Sequence, residues 1–161
     1  MRPDQLERLP NLGLMPSYFV AHVKYWGDAH LRNLGPERAR AISPLGLTER
    51  LGIPFTLHQD TPVLPPDMLE TLCIAQRRVT RDGVSLAQPG LTDASRGALV
   101  RAVTTWGAFQ YFEEAQKGTL EPGKRADMVR LSANPLKVDA AALDSIEVRA
   151  TYVAGEAAYG A

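Results

Sequence analysis

The sequence has a single cysteine, no excess of either charge and no long apolar run. Cys73 cannot form a disulfide within the chain and cannot build a cysteine zinc site. Lys plus Arg number 18 and Asp plus Glu number 18, a balance that argues against a general nucleic-acid binder and a polybasic membrane-surface protein. No apolar run approaches the length of a bilayer span, and the N-terminus has no stretch typical of a signal peptide. These absences predict a cytoplasmic protein that binds neither nucleic acid nor membranes.

The length of the chain sets a further limit. With 161 residues, 45% hydrophobic and 22% charged, the chain can bury one substantial core. It is too short for a complete (β/α)₈ barrel, which needs roughly 250 residues.

The apolar pattern changes character along the chain. Up to about residue 118, short helices alternate with short apolar strands, which is typical of parallel βα units. After Gly118 the pattern becomes β-rich. We therefore predict an α/β fold with two parts, residues 1–117 and residues 118–161.

Individual elements follow from turn residues and periodicity. Strands are predicted over 14–20, 53–58, 128–131 and 146–154, with a last short strand over 157–160, and a polar-aromatic loop over 23–34. The pair Asp67 and Glu70 predicts a capping box at the start of a helix, and Thr92 could cap the next helix. A very short strand could form at 42–43.

The group His58-Gln59-Asp60 ends the strand predicted over 53–58. Alternation places His58 and Asp60 on one face, at the strand end where parallel sheets carry functional groups. A carboxylate there can ligate a metal or move a proton. The structural alternative is an aspartate that caps the following turn beside a hydrogen-bonded histidine.

Other polar residues allow functional and structural interpretations. His22 also follows a predicted strand, and it could join His58 and Asp60 in a zinc site, which needs three or four converging ligands. Trp26 suits a substrate wall as well as a buried packing role. Cys73 lies on an apolar helix stripe and is predicted to pack in the core.

Two further expectations concern the remaining residues. The basic cluster Arg77, Arg78 and Arg81 is predicted to form a solvated helix end. No other nucleophile with a paired base is evident from the sequence.

Several segments together resemble the amidohydrolase superfamily. GTLEPGKRADMVRL, residues 118–131, is similar to the closing motif of that superfamily, and TYVAGEAAYG, residues 151–160, to its last β-hairpin. GIPFTLHQDTPVLPPD, residues 52–67, resembles the eighth barrel strand and its loop. The block at residues 16–45 resembles the branch of N-substituted formamide deformylase-like enzymes, around strand six.

The resemblance implies the C-terminal part of a metal-dependent hydrolase. Residues 1–117 would form about the last three βα units of a (β/α)₈ barrel, and residues 118–161 would contribute strands to a small β-sandwich. His22 would be a ligand of a divalent metal, often zinc in such enzymes, and Asp60 a ligand and proton shuttle. Trp26 and His58 would line the pocket of a small amide-type substrate whose non-peptide carbon–nitrogen bond is hydrolysed.

This sequence also departs from the family pattern. Strands one to five and their ligands, including an H-x-H pair, are absent, and Gln59 stands where this branch often has serine. We therefore expect the isolated chain to be inactive and to bind zinc weakly. A non-catalytic remnant or interaction module, which pairs with another chain or itself through exposed barrel edges, is the alternative.

Overall fold

The computed structural model describes residues 1–160. The elements are, in chain order, α1 (Pro3–Leu6), β1 (Ser17–Tyr18), α2 (Ala21–Leu34), α3 (Pro36–Arg40), α4 (Leu45–Arg50), β2 (Thr56–Leu57), α5 (Met68–Arg77), α6 (Arg96–Ala102), α7 (Thr105–Gln110), β3 (Met128–Leu131), β4 (Val148–Val153) and β5 (Glu156–Tyr159). Two 3₁₀ helices, Pro10–Leu12 and Ala140–Ser145, lie between them. The α/β character predicted from the sequence is confirmed.

Strands β1 and β2 form a parallel pair, with Ser17 opposite Thr56. Both strands are shorter than the predicted ranges 14–20 and 53–58. Pro16 lacks an N–H and precedes β1, while Val20 already has helical dihedral angles as the N-cap of α2. The pair is therefore brief, but its direction brings the two carboxyl ends to one edge.

Residues 23–34 belong to helix α2, so the predicted loop is wrong. The helix buries Ala21, Val23 and Gly27 on one side. A Cβ atom at Gly27 would lie 2.5 Å from the Thr80 methyl carbon, so glycine lets the segment around Thr80 approach the helix closely. The Thr80 hydroxyl donates to the Asp28 carboxylate at 2.6 Å. This tertiary contact supports a helix whose sequence looked like a loop.

The main core lies between the β1–β2 pair and the helices. Phe55 contacts the rings of Tyr18 and Trp106, at centroid distances of 5.9 and 5.1 Å. Cys73 is buried in this core, as predicted, and burial raises the pKa of its thiol. A smaller cluster joins α1 to the segment before β2, and its buried members are Leu6, Leu9 and Ile53.

Helix caps differ in part from prediction. Asp67 caps α5 and accepts a hydrogen bond from the Glu70 backbone N–H at 2.9 Å, which is half of a capping box. The Glu70 side chain bonds elsewhere, so the reciprocal half is missing. Ser95, not Thr92, caps α6, because the Thr92 hydroxyl is held by the Gln88 backbone.

The short strand predicted at 42–43 is a bend in which Ser43 has a φ of 48°.

The prediction of a solvated arginine cluster is wrong for Arg78. This residue ends α5 in the left-handed conformation and is 1% exposed. Its guanidinium turns inward and donates to the backbone oxygens of Ile42 and Ser43, at 2.5 and 3.4 Å. Burial lowers its pKa to about 10, so the group remains charged at neutral pH.

The segment after Gly118 forms the predicted strands. Strands β3, β4 and β5 make an antiparallel sheet in the order β3-β4-β5, separate from the β1–β2 pair. Leu143 and Ile146 nevertheless pack into the main core. The boundary between residues 117 and 118 stays a prediction.

Across residues 1–160, none of the helices has both the length and the apolar character that crossing a membrane requires.

Candidate active site

Side chains from β1, α2 and β2 meet at the carboxyl edge of the parallel pair. We call these rings the strand-end cluster, and its members are Phe19, His22, Trp26, His30 and His58. Phe19 is central: its ring lies 4.9 Å from that of His22, 5.9 Å from that of Trp26 and 5.7 Å from that of His58. Two imidazoles, those of His22 and His58, thus contact the Phe19 ring, and the third, that of His30, contacts His22.

His22 follows β1, as predicted, and lies in the first turn of α2. Its Nδ1 is 3.0 Å from Nε2 of His30, a partner that sequence reasoning did not identify. Burial lowers the pKa of His22, and His30 and His58 lower it further, while the carboxylate of Asp60 acts in the opposite direction. Among these titratable groups, the direct contact of His22 is with His30.

His58 is paired with Ser17. The side chains lie on the same face of adjacent strands, and Ser17 Oγ is 2.7 Å from His58 Nδ1. The expectation that no further nucleophile has a paired base is therefore wrong. The sequence could not show the pair, because alternation within one strand says nothing about which strand lies beside it.

Asp60 follows β2 at the predicted edge of the pair. It is exposed, has a φ of 55°, and its carbonyl oxygen accepts a hydrogen bond from the Val63 N–H at 2.9 Å. Within residues 1–160 its carboxylate makes no hydrogen bond or ion pair. The side chain is thus available to a ligand, and its role stays a prediction.

Gln59 is buried between the two candidate residues, at 3% exposure. Its Nε2 donates to the Asp67 backbone oxygen at 2.8 Å and to the Thr71 hydroxyl. The amide therefore ties the end of β2 to the start of α5. A serine there would be too short for both bonds, so this departure from the family pattern has a structural use.

Trp26 is 37% exposed and contacts the rings of Phe19, His22 and Tyr25. Its position beside the histidines is compatible with the predicted role of Trp26 as a wall of the site. The function of Trp26 and of His58 toward a substrate stays a prediction.

The donors at this edge fit part of a metal site. His22 has one ring nitrogen bonded to His30, which leaves Nε2 free, as in imidazoles that bind metals through one nitrogen and are oriented through the other. Nitrogen and carboxylate donors of this kind suit zinc. Within residues 1–160, however, no three His, Cys, Asp or Glu side chains converge closely enough to hold an ion. Further ligands are needed to complete such a site.

A second polar cluster lies beside the aromatic rings. The Glu70 carboxylate accepts hydrogen bonds from Lys24 Nζ at 2.5 Å and from the Tyr25 hydroxyl at 2.8 Å. The Arg81 guanidinium lies over the Tyr25 ring, 4.6 Å from its centroid. Burial raises the pKa of Glu70, but the bonds from Lys24 and Tyr25 and the nearby cations outweigh it and lower the pKa overall.

We expect this carboxylate to contribute to stability at neutral pH and to lose that contribution in acid. A lowered pKa means that the folded state binds fewer protons, so stability falls as pH drops below about 4.3 and through the folded pKa. The variant Glu70→Gln should lose about 1 kcal/mol at pH 7, since the pair is partly solvated, and should depend less on pH between 5 and 3. Urea unfolding at pH 7, 5 and 3 measures both effects.

The matched control is Glu37→Gln, which alters an exposed carboxylate in α3. Its unfolding free energy should follow that of the wild-type chain at every pH. Equal acid sensitivity in the Glu70 variant and the wild type would contradict the stabilising role that we assign to the ionised Glu70 carboxylate.

Comparison with known proteins gives one family and several related structures. The model of the Amidohydrolase family matches residues 1–159. No curated protein matches the chain significantly in sequence.

Three solved structures share the fold. An amidohydrolase from Thermotoga maritima MSB8 has a TM-score of 0.67 and 19% identity over 99% of this chain. An adenosine deaminase from Xanthomonas campestris with bound zinc has a TM-score of 0.68 and 18% identity over 99% of this chain. An uncharacterized metal-dependent hydrolase from Pyrococcus furiosus has a TM-score of 0.69 and 28% identity over 85% of this chain.

The chain corresponds to only a part of each of these structures. The matched region covers 35% of the Thermotoga and Xanthomonas chains and 27% of the Pyrococcus chain. At most about a third of each related protein therefore has a counterpart here.

Proposed function

This chain belongs to the amidohydrolase family, and from that premise we propose that it supplies the C-terminal part of a metal-dependent amidohydrolase. Its substrate would be a small molecule with a non-peptide carbon–nitrogen bond, as in the formamide deformylase-like branch. One observation supports this most strongly: His22 follows β1 and Asp60 follows β2, so both stand beyond the carboxyl ends of two adjacent parallel strands. In such sheets that edge carries the functional groups.

A bound divalent metal, zinc in this proposal, would lower the pKa of a water molecule toward roughly 7, which would allow hydrolysis at neutral pH. His22 would hold the metal through Nε2, with His30 fixing the ring through Nδ1. Asp60 would ligate through its carboxylate, accept a proton and pass it to the leaving nitrogen. Trp26 and His58 would face the substrate.

The remaining parts of the proposal concern assembly. Residues 1–117 would form the last part of a (β/α)₈ barrel and residues 118–161 part of a sandwich. The remaining ligands would come from segments that correspond to the unmatched portion of the related structures. A cytoplasmic location is part of the same proposal.

The isolated 161-residue chain is expected to bind zinc weakly and to leave amides intact. Two ligands compete poorly with water for a divalent ion, and tight sites need three or four in fixed geometry. Calorimetric zinc titration should show no saturable one-to-one binding. Tight binding of one ion, abolished by both Asp60→Ala and His22→Ala, would contradict this expectation.

The experiment that tests the proposed function uses the coding DNA. The sequence upstream of the Met1 codon is read for an in-frame H-x-H segment, and the longer polypeptide is expressed with zinc. Amine release from a panel of small amides should appear in the longer polypeptide and be absent from the 161-residue chain. A zinc-loaded longer polypeptide without amidase activity would overturn the proposal.

A second candidate is a non-catalytic module that pairs with another chain. The observation that favours it is a groove of about 760 Å³ between α5, α6 and the β3-β4-β5 sheet, lined mainly by apolar side chains. Valines 129 and 148 are among the lining residues and are exposed. A stop codon directly upstream, together with self-association of the chain in analytical ultracentrifugation, would favour this second function.

A further inference from the structure

The hydroxyl of Ser17 and the imidazole of His58 form a pair that the proposed metal chemistry does not require. Their strands are hydrogen-bonded neighbours, and Ser17 lies opposite Thr56 in the parallel register. His58 is two residues beyond Thr56 and therefore on the same face. The Ser17 Oγ to His58 Nδ1 distance of 2.7 Å is within the range at which a base can remove a hydroxyl proton.

The imidazole is also held in orientation by a third group. The Phe19 ring stacks on the His58 ring, with 16° between their planes and 5.7 Å between centroids. A serine hydroxyl with an imidazole in hydrogen-bond reach is the nucleophile and base of a dyad, and the Phe19 ring restricts the rotation of that imidazole. Ser17 is exposed, so a substrate can reach the hydroxyl.

The pair lines a cleft that also contains a hydrogen-bond donor. The cleft has a volume of about 270 Å³, and Gln110 of α7 lies in its wall together with Ser17 and His58. Gln110 Oε1 accepts from the Thr56 hydroxyl at 2.8 Å, which fixes the amide and leaves Nε2 as a donor. A donor in the cleft can stabilise the oxyanion that forms when a hydroxyl attacks a carbonyl.

We propose that Ser17 and His58 give this chain a second, metal-independent activity: acyl transfer from small carboxylic esters. The cleft is smaller than the pockets that take drug-sized ligands, so short acyl groups are the class that fits. Esters are specified because an alkoxide or phenoxide is a better leaving group than an amide anion, so its departure depends less on protonation by the His58 imidazolium.

The chemistry balances within the pair, the ester and water. Ser17 Oγ forms a bond to the carbonyl carbon, and its proton passes to His58 Nδ1. The carbon–oxygen bond to the leaving group breaks, and the leaving group takes that proton, which gives an acyl-serine and an alcohol. Water then attacks the acyl carbon with His58 as base, releasing the carboxylic acid and restoring the Ser17 hydroxyl.

An alkyl fluorophosphonate tests the pair directly. Oγ of Ser17 should bond to phosphorus while the phosphorus–fluorine bond breaks, the proton going to His58 and fluoride leaving. The folded 161-residue chain, kept in EDTA, should carry one phosphonyl group, located at Ser17 by mass spectrometry of its peptides. The same protein should hydrolyse p-nitrophenyl acetate with an initial burst of nitrophenol.

Three variants separate the roles of these groups. Ser17→Ala should lose both the label and the burst, while its circular dichroism spectrum and melting temperature stay near those of the wild type. His58→Gln should label about 100-fold more slowly, which is the low end of the usual contribution of a general base. Gln110→Leu should also lower the rate of ester hydrolysis by about 100-fold if its amide stabilises the oxyanion.

The control variant is Ser85→Ala, an exposed serine remote in sequence from both strands, which should label and hydrolyse as the wild type does. A folded wild-type chain that takes no label at Ser17, or a label that persists unchanged in His58→Gln, would overturn the proposal. The outcome is independent of the amidohydrolase proposal, because the label is measured without metal and amine release is measured in the longer, zinc-loaded polypeptide.

Discussion

Replacing Arg78 by alanine is expected to destabilise the chain by about 3–5 kcal/mol, a large part of the stability of a domain of this size. The guanidinium is buried and donates to the backbone oxygens of Ile42 and Ser43, in a bend where Ser43 has a positive φ. Alanine leaves both of these carbonyl oxygens without their hydrogen-bond donors and creates a cavity. Both losses lower the free energy of unfolding.

A substitution series separates the packing of Arg78 from its charge. The buried charge is itself unfavourable, as the lowered pKa shows, so Arg78→Met removes that cost while keeping most of the volume. We expect Arg78→Met to destabilise by less than half as much as Arg78→Ala in urea unfolding at pH 7. Equal losses in the two variants would show that the donors, and not the volume, carry the effect.

Under the proposed function, replacing Asp60 by asparagine is expected to lower amine release by a longer, zinc-loaded polypeptide by about 10³-fold. Asparagine has nearly the same shape but cannot take up a proton, and a neutral amide is a weaker ligand than a carboxylate. Both losses fall on the reaction and not on the fold, because the Asp60 side chain is exposed. Values of kcat/KM and the zinc content of the purified variant measure the effect.

The matched control is Asp82→Asn, which changes an exposed aspartate in the turn after Thr80. It should keep the zinc content and activity of the parent polypeptide. Full activity of Asp60→Asn at normal zinc content would contradict the proposed role of Asp60 as metal ligand and proton shuttle.

Local sequence patterns predicted the elements that local forces determine. The cap at Asp67 and the final hairpin of β4 and β5 depend on contacts between residues close in the chain. The apolar stripe of α5 correctly placed Cys73 in the core. In contrast, α2 was predicted as a loop, since its support comes from Thr80, which lies more than 50 residues away.

By itself the sequence determined the family, the α/β class and the presence of Asp60 at a strand end, because motifs and periodicity are local properties of the chain. Only the tertiary structure decided which side chains meet. The register between β1 and β2 places the Ser17 hydroxyl beside the His58 imidazole. The helical path of α2 brings His30 next to His22. The C-terminal end of α5 directs the Arg78 guanidinium into the interior. Each is a contact between side chains whose approach depends on how separate elements pack, and a spacing along one strand or helix carries no information about its neighbour.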